Sequence, residues 1–271
     1  MDLWQQATID KIEALLRADE RVKGLVLVGS FTREDVTPDI WSDIDIVIVV
    51  DNHSLEQFYP ATDWISSIGK MYCFSQNSSD FNVTRACFTD TRRIDFVIVS
   101  EDSLERIEEW SYNPLCFINH CIFSRSRVLD KVLQTTFSRP VLNLIPQKQF
   151  EQMVNDFWFK GMLAVSKAGR EELLVAVHLS LDMIRDCLVL GMMLRDRNTG
   201  TNHHRDGSQG NHFVEQLVHK SQPFTPQGVL ESIEQCAIAF DKLAVQWDKG
   251  YEELRGTLLN WIEQTRRNMK E

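Results

Sequence analysis

The chain has 271 residues, 43% of them apolar and 25% charged, with 29 basic against 39 acidic side chains and a formal charge of −10. Such a composition excludes general disorder, supplies a sizeable core in one large or two small domains, and argues against a general nucleic-acid binder, which carries a basic face. An acidic surface suits cationic small molecules or metal ions, and equally serves solubility alone.

The first residues, Met1 to Gln5, have neither the basic nor the apolar region of a signal peptide. No stretch approaches the roughly 20 apolar residues of a membrane span. Six cysteines, at 73, 87, 116, 121, 187 and 236, form no CxxC pair and mostly lie in apolar runs. They read as reduced, buried thiols of a cytoplasmic protein.

Ile9, Ile12, Leu15 and Leu16 follow helical spacing. Gly24 to Val28 is a short apolar run that stops at Gly29-Ser30, as a buried strand does at a turn. A polar loop with Pro38 leads to Ser42-Asp43-Ile44-Asp45-Ile46-Val47-Ile48-Val49-Val50, which alternates and then becomes continuously apolar, as a central strand does. Short helices are expected over Ser54 to Phe58 and around Trp64 to Ile68. Strands are expected over Met71 to Phe74, Thr84 to Phe88 and Arg93 to Val99. Ser103 reads as a helix cap, followed by acid in the first turn. After Pro140 strand signals fade, and long helices are expected over Phe150 to Lys167, Glu171 to Leu194, Val229 to Gln246 and Tyr251 to Met269. A polar stretch from Arg195 to Asn211 separates them. The expected class is α+β, with a mixed-sheet domain over 1–140 and a helical bundle over 141–271.

Three pieces carry chemistry. Gly29 at a strand end lets a backbone approach a phosphate, and the Ser30 hydroxyl can hold its oxygens, although Gly-Ser after a strand is also an ordinary turn. Asp43 and Asp45 are two apart in a strand, so both carboxylates project to one face. Their repulsion asks for compensation, for which Mg²⁺ is the natural cation; a solvated strand-end pair is the other reading. Asp95 is a charge inside an apolar strand and needs a partner. If its strand lies beside that of Asp43, three carboxylates converge, as two-metal phosphoryl transfer requires, and Asp95 can accept the proton of an attacking hydroxyl. An ion pair of Asp95 with Arg92 or Arg93 is the alternative.

Gly29-Ser30, then Asp43 with Asp45, then Asp95 is similar to the pattern of the DNA polymerase β nucleotidyltransferase superfamily. Within it the chain resembles bacterial antibiotic nucleotidyltransferases, especially aminoglycoside 6-adenylyltransferases and lincosamide nucleotidyltransferases. The supporting text is Ala18-Asp19-Glu20-Arg21-Val22, Val28-Gly29-Ser30-Phe31-Thr32, Ser42-Asp43-Ile44-Asp45, Thr62-Asp63-Trp64, Arg93-Ile94-Asp95-Phe96, Phe157-Trp158 and Gly169-Arg170-Glu171-Glu172.

The resemblance implies a nucleotidyltransferase fold with ATP against Gly29-Ser30, Mg²⁺ on Asp43, Asp45 and Asp95, and an acceptor in the cleft between domains. AMP would pass to a hydroxyl of an aminoglycoside first, a lincosamide second. Adenylylation of a protein or another metabolite, and a nucleotide-binding regulator with a silent site, are the rival readings. The partners expected are ATP and a small-molecule acceptor, without nucleic acid or membrane, in a monomer or homodimer.

The loop after Gly29 departs from the pattern: it carries Glu34, Asp35 and Asp39, and only Arg33 is basic. Help with the triphosphate must then come from elsewhere; the 195–212 loop can provide it through His203, His204 and Arg205, and a plain loop is the other reading of that stretch. A zinc site there with Asp206 lacks a third ligand of recognisable spacing. Lys160, Lys167 and Arg170 at helical spacing are candidate phosphate contacts, and Glu171 and Glu172 candidate acceptor contacts. A solvated helix face is the leading reading of both sets. Phe157-Trp158-Phe159 reads first as packing between helices, with a wall of the acceptor pocket as the other reading.

Overall fold

The computed structural model describes residues 4–33, 37–110, 113–116, 119–135, 145–199, 211–217 and 224–269. The chain divides into two compact units, Met1–Val141 and Leu142–Glu271. Among the described residues no helix is long and apolar enough to cross a membrane.

The first unit opens with helix α1 (Trp4–Arg17), which buries Ile9, Ile12 and Leu16 on one stripe. Strand β1 (Val22–Val28) runs into a 3-10 turn at Gly29–Thr32. Strand β2 (Ile44–Val50) is followed by the single-turn helix α2 (Leu55–Phe58), a 3-10 turn at Asp63–Ser67, and strands β3 (Met71–Ser78), β4 (Asn82–Phe88) and β5 (Arg93–Ser100). Helix α3 (Glu101–Glu105), strand β6 (His120–Ser124) and helix α4 (Arg127–Gln134) complete the unit.

The six strands form one sheet in the order β3-β4-β5-β2-β1-β6. It is mixed: β2 and β5 run parallel, and every other neighbouring pair is antiparallel. Every residue of β2 is buried because both sheet faces are covered. Its even-numbered side chains, Ile44, Ile46 and Ile48, pack with Ile94, Phe96 and the α1 stripe. Its odd-numbered Val47 and Val49 pack with Val26, Val99, Leu104 of α3 and Leu129 of α4.

The α+β expectation holds, with local corrections. The cap before α3 is Ser100, whose Oγ accepts from the Ser103 amide at 3.2 Å; Ser103 lies inside the helix. The sequence reading also missed β6 and α4. Of the cysteines expected to be buried, Cys187 and Cys236 are, Cys87 is half-buried, and Cys73 and Cys121 are exposed. Those two lie on the outermost strands β3 and β6, where among the described residues one strand edge has no neighbour.

The second unit is helical: α5 (Gln147–Gly169), α6 (Leu173–Thr199), the short α7 (Asn211–Glu215), α8 (Pro226–Trp247) and α9 (Arg255–Asn268). Helix α8 starts as its sequence prescribes, with the Thr225 hydroxyl accepting from the Gly228 amide at 3.0 Å and Pro226 in the first turn. Phe157 and Phe240 stack at 3.8 Å between ring centres in the core of this unit. Phe159, expected to pack between helices, is 73% exposed.

Helix α6 begins at Leu173, after Glu171 takes a left-handed φ of 59° in the turn. It extends to Thr199, so Arg195 to Thr199 are helical where a polar loop was expected. Arg195 and Asp196 are buried and paired at 2.9 Å, which offsets part of the desolvation cost of burying two charges in this helix. Tyr251, expected to open α9, instead precedes it. Its hydroxyl donates to Asp241 at 2.6 Å, and Asp241 also accepts from the Leu254 and Arg255 amides at 3.2 and 3.1 Å. This fully buried carboxylate of α8 therefore caps the start of α9.

Candidate active site

The chain geometry brings the three sequence pieces to one end of the sheet. Asp45 pairs with Val28 across β1–β2, so the end of β1 and the start of β2 are neighbours. Gly29 and Ser30 therefore emerge beside Asp45. Parallel pairing sets Asp45 abreast of Asp95 on β5, and side chains abreast in a ladder share a face. Asp43, two residues earlier, falls on that same face. Asp45 and Asp95 are 9% and 8% exposed.

Gly29 has φ of +77°, and a Cβ built there would stand 2.1 Å from Oδ2 of Asp45. Backbone conformation and space both demand glycine at this position. Gly29→Ala is therefore expected to cost about 1–2 kcal/mol from the left-handed backbone alone, and to displace Asp45 as well. A melting curve of the variant checks the first effect; an unchanged midpoint would show that the turn relaxes. Among the described residues, the buried Oγ of Ser30 has no hydrogen-bond partner. A buried hydroxyl left so is costly, and it remains available to a ligand placed against this turn. Thr32 closes the turn by donating to the Gly29 carbonyl at 2.9 Å.

The segment that delivers Asp43 is held from α1. The amide of the fully buried Gln5 donates to the Asp39 and Ser42 carbonyls at 2.7 and 2.9 Å. Asp39 itself accepts from the Trp41 and Ser42 amides, so this acid of the loop serves the turn. Glu34 and Asp35 lie outside the described residues.

Two arginines neutralise the carboxylates, and one was missed in the sequence. Arg93 meets Asp43 at 2.6 Å. Arg85 of β4, directly opposite Asp95 in the ladder, meets its Oδ2 at 3.1 Å. The pairing of Asp95 with Arg92 or Arg93 considered from the sequence is thus replaced by Arg85, and Arg92 instead pairs with Asp90 and donates to Thr8. The signal for Arg85 was its charge within the β4 run, but only strand register identifies its partner.

Among the described residues no three His, Cys, Asp or Glu side chains gather into a metal-holding group; Asp43 and Asp95 are turned towards their arginines. The donor set still fits Mg²⁺: hard carboxylate oxygens on one face, next to a turn whose glycine leaves room at Asp45 and whose serine hydroxyl is unused.

Of the remaining candidates, Arg33 is exposed directly after the 3-10 turn. Lys160 is bound to Asp186 at 2.5 Å, and Lys167 pairs with Glu172. His203, His204, Arg205 and Asp206 lie outside the described residues.

A family model for streptomycin adenylyltransferase matches residues 4–222, a span that contains all of these groups. The chain belongs to this family. Among curated relatives, it is 21% identical over 190 residues to an aminoglycoside 6-adenylyltransferase from Campylobacter jejuni, and 23% identical over 184 residues to one from Bacillus subtilis (strain 168). The first match covers 67% of this chain and 63% of the relative, the second 63% and 61%. The chain thus matches less than two thirds of the length of either curated relative. A crystal structure of an aminoglycoside 6-adenyltransferase from Bacillus subtilis is similar at 14% identity and a TM-score of 0.33, covering 98% of this chain and 97% of that one.

Proposed function

We propose that this chain is a nucleotidyltransferase that moves AMP from ATP to a hydroxyl of an aminoglycoside. The observation that carries the reading is Asp45 abreast of Asp95, next to the Gly29-Ser30 turn, inside the span that matches the family. The relatives named for aminoglycosides supply the acceptor class, and the charge of −10 suits a polycation.

In this reading ATP lies with its phosphates against the Gly29 backbone and the unpaired Ser30 hydroxyl, and Arg33 adds a cation nearby. Asp43, Asp45 and Asp95 hold Mg²⁺, which when bound neutralises phosphate charge. Asp95 accepts the proton of the acceptor hydroxyl. The new bond joins that oxygen to the α-phosphorus; the bond from the α-phosphorus to the bridging oxygen breaks, and pyrophosphate leaves. Arg85 orients Asp95 through Oδ2, and Arg93 restrains Asp43.

Incubation of the protein with ATP, Mg²⁺ and a panel of aminoglycosides and lincosamides tests this by mass spectrometry. The expected product is an aminoglycoside heavier by one AMP, lost when EDTA removes the metal. AMP on a lincosamide alone would replace the acceptor, and AMP on a protein band with no drug product would sink the reading.

A further inference from the structure

Cys73 and Cys87 stand directly opposite each other on the antiparallel strands β3 and β4. Opposed residues in such a pair have Cα atoms about 4.5–5.5 Å apart, within the roughly 4.4–6.8 Å that a disulfide bridges. Register also fixes their face. Ser75, Arg85, Asp95 and Asp45 form one row across β3, β4, β5 and β2. Cys73, Cys87 and Arg93 form the next row on that face, and Arg93 continues it to Asp43.

The two thiols differ in a useful way. Cys73 is exposed on the outermost strand, and Cys87 is half-buried. Burial, and next the hydrogen bond with the Cys73 sulfur, hold the Cys87 thiol above its ordinary range. The other described cysteines lack this arrangement. Cys121 is exposed but stands opposite Val26, and Cys187 and Cys236 are both buried.

We propose that Cys73 and Cys87 are a modification site, a cross-strand dithiol that small-molecule disulfides such as glutathione disulfide convert to a protein disulfide. The accessible Cys73 attacks first as its thiolate. A bond forms to one glutathione sulfur, the glutathione S–S bond breaks, and one glutathione leaves as thiolate. Cys87 then loses its proton to solvent and attacks the Cys73 sulfur, and the second glutathione leaves. Two electrons pass from the protein dithiol to glutathione disulfide, and two reduced glutathiones result. The product staples the edge strand β3 to β4 next to the Arg93–Asp43 ion pair.

The test treats the full chain with glutathione disulfide and reads the unreduced protein by mass spectrometry and peptide mapping. The expected species is lighter by two hydrogen atoms, gives one peptide linking Cys73 to Cys87, and reverts with dithiothreitol. Cys121 serves as the internal control for a solitary exposed thiol, and takes glutathione without losing it to a second cysteine. In Cys73→Ser and in Cys87→Ser the linked peptide disappears. Three results would each overturn the proposal: glutathione retained on Cys73 in the unmodified sequence, a bridge from either thiol to a different cysteine, or no reaction at the pair.

Discussion

Replacing Asp95 by Asn is expected to lower adenylyl transfer by roughly 10²–10⁴-fold while leaving the fold intact. The amide is nearly the same size, so the buried position stays filled. Its carbonyl oxygen still accepts from Arg85. What is lost is the negative charge and the capacity to take a proton from the acceptor. The substitution also ends the ion pair with Arg85, whose side chain is 45% exposed, so that loss is of the order of a solvent-screened pair, about 0–1 kcal/mol, and relief of repulsion from the neighbouring Asp45 opposes it. The melting temperature should therefore move by a few degrees at most. Turnover is read by mass spectrometry of the AMP product, and integrity by thermal unfolding. Activity retained within a few fold would take the proton-accepting role away from Asp95.

The second large effect concerns stability. Asp241→Ala is expected to cost about 3–5 kcal/mol, the range for breaking a buried charged network by removing one partner. Asp241 is fully buried and accepts from the Tyr251 hydroxyl and from two amides at the start of α9. Alanine would strand all three donors. Asn can still accept and should lose less. Urea unfolding measures both, and a loss under 1 kcal/mol for alanine (a typical value for one ordinary hydrogen bond) would show that water replaces the carboxylate.

Burial, reinforced by Asp241 as acceptor, holds the Tyr251 phenol above its ordinary range. A phenol raised on folding adds stability that is present below its unfolded pKa of about 10 and is lost as pH climbs through the higher folded value. The Tyr251 contribution is thus constant around neutrality and disappears only in strong alkali.

Much of the site was legible because strand periodicity is local information. The apolar run from Ile46 to Val50 declares a strand buried on both faces, and period two puts Asp43 and Asp45 together. The neighbour of that strand is a tertiary fact, so Asp95 could only be joined to the pair conditionally, and Arg85 could not be joined to Asp95 at all. Helix ends failed for a related reason. Arg195 and Asp196 look like loop residues until they are paired, and Tyr251 looks like the opening of α9 until Asp241 is seen to hold the residues that follow. The short strand β6 lies in a stretch whose apolar run is broken by Asn119 and His120, and its strand character comes from pairing with β1.

The single parallel pair has a consequence for how the chain acquires its chemistry. The strands β3, β4 and β5 follow one another in sequence, and β3 pairs with β4 and β4 with β5, so they close through short loops. Setting β5 alongside β2 demands closure of the whole stretch between Asp45 and Asp95, a far less local event. Asp45 and Asp95 therefore come together only when that long-range docking occurs, and a chain still emerging during synthesis has no paired carboxylates until β5 has been made. Competence for nucleotide should consequently appear with the slow phase of refolding rather than with the earlier formation of secondary structure.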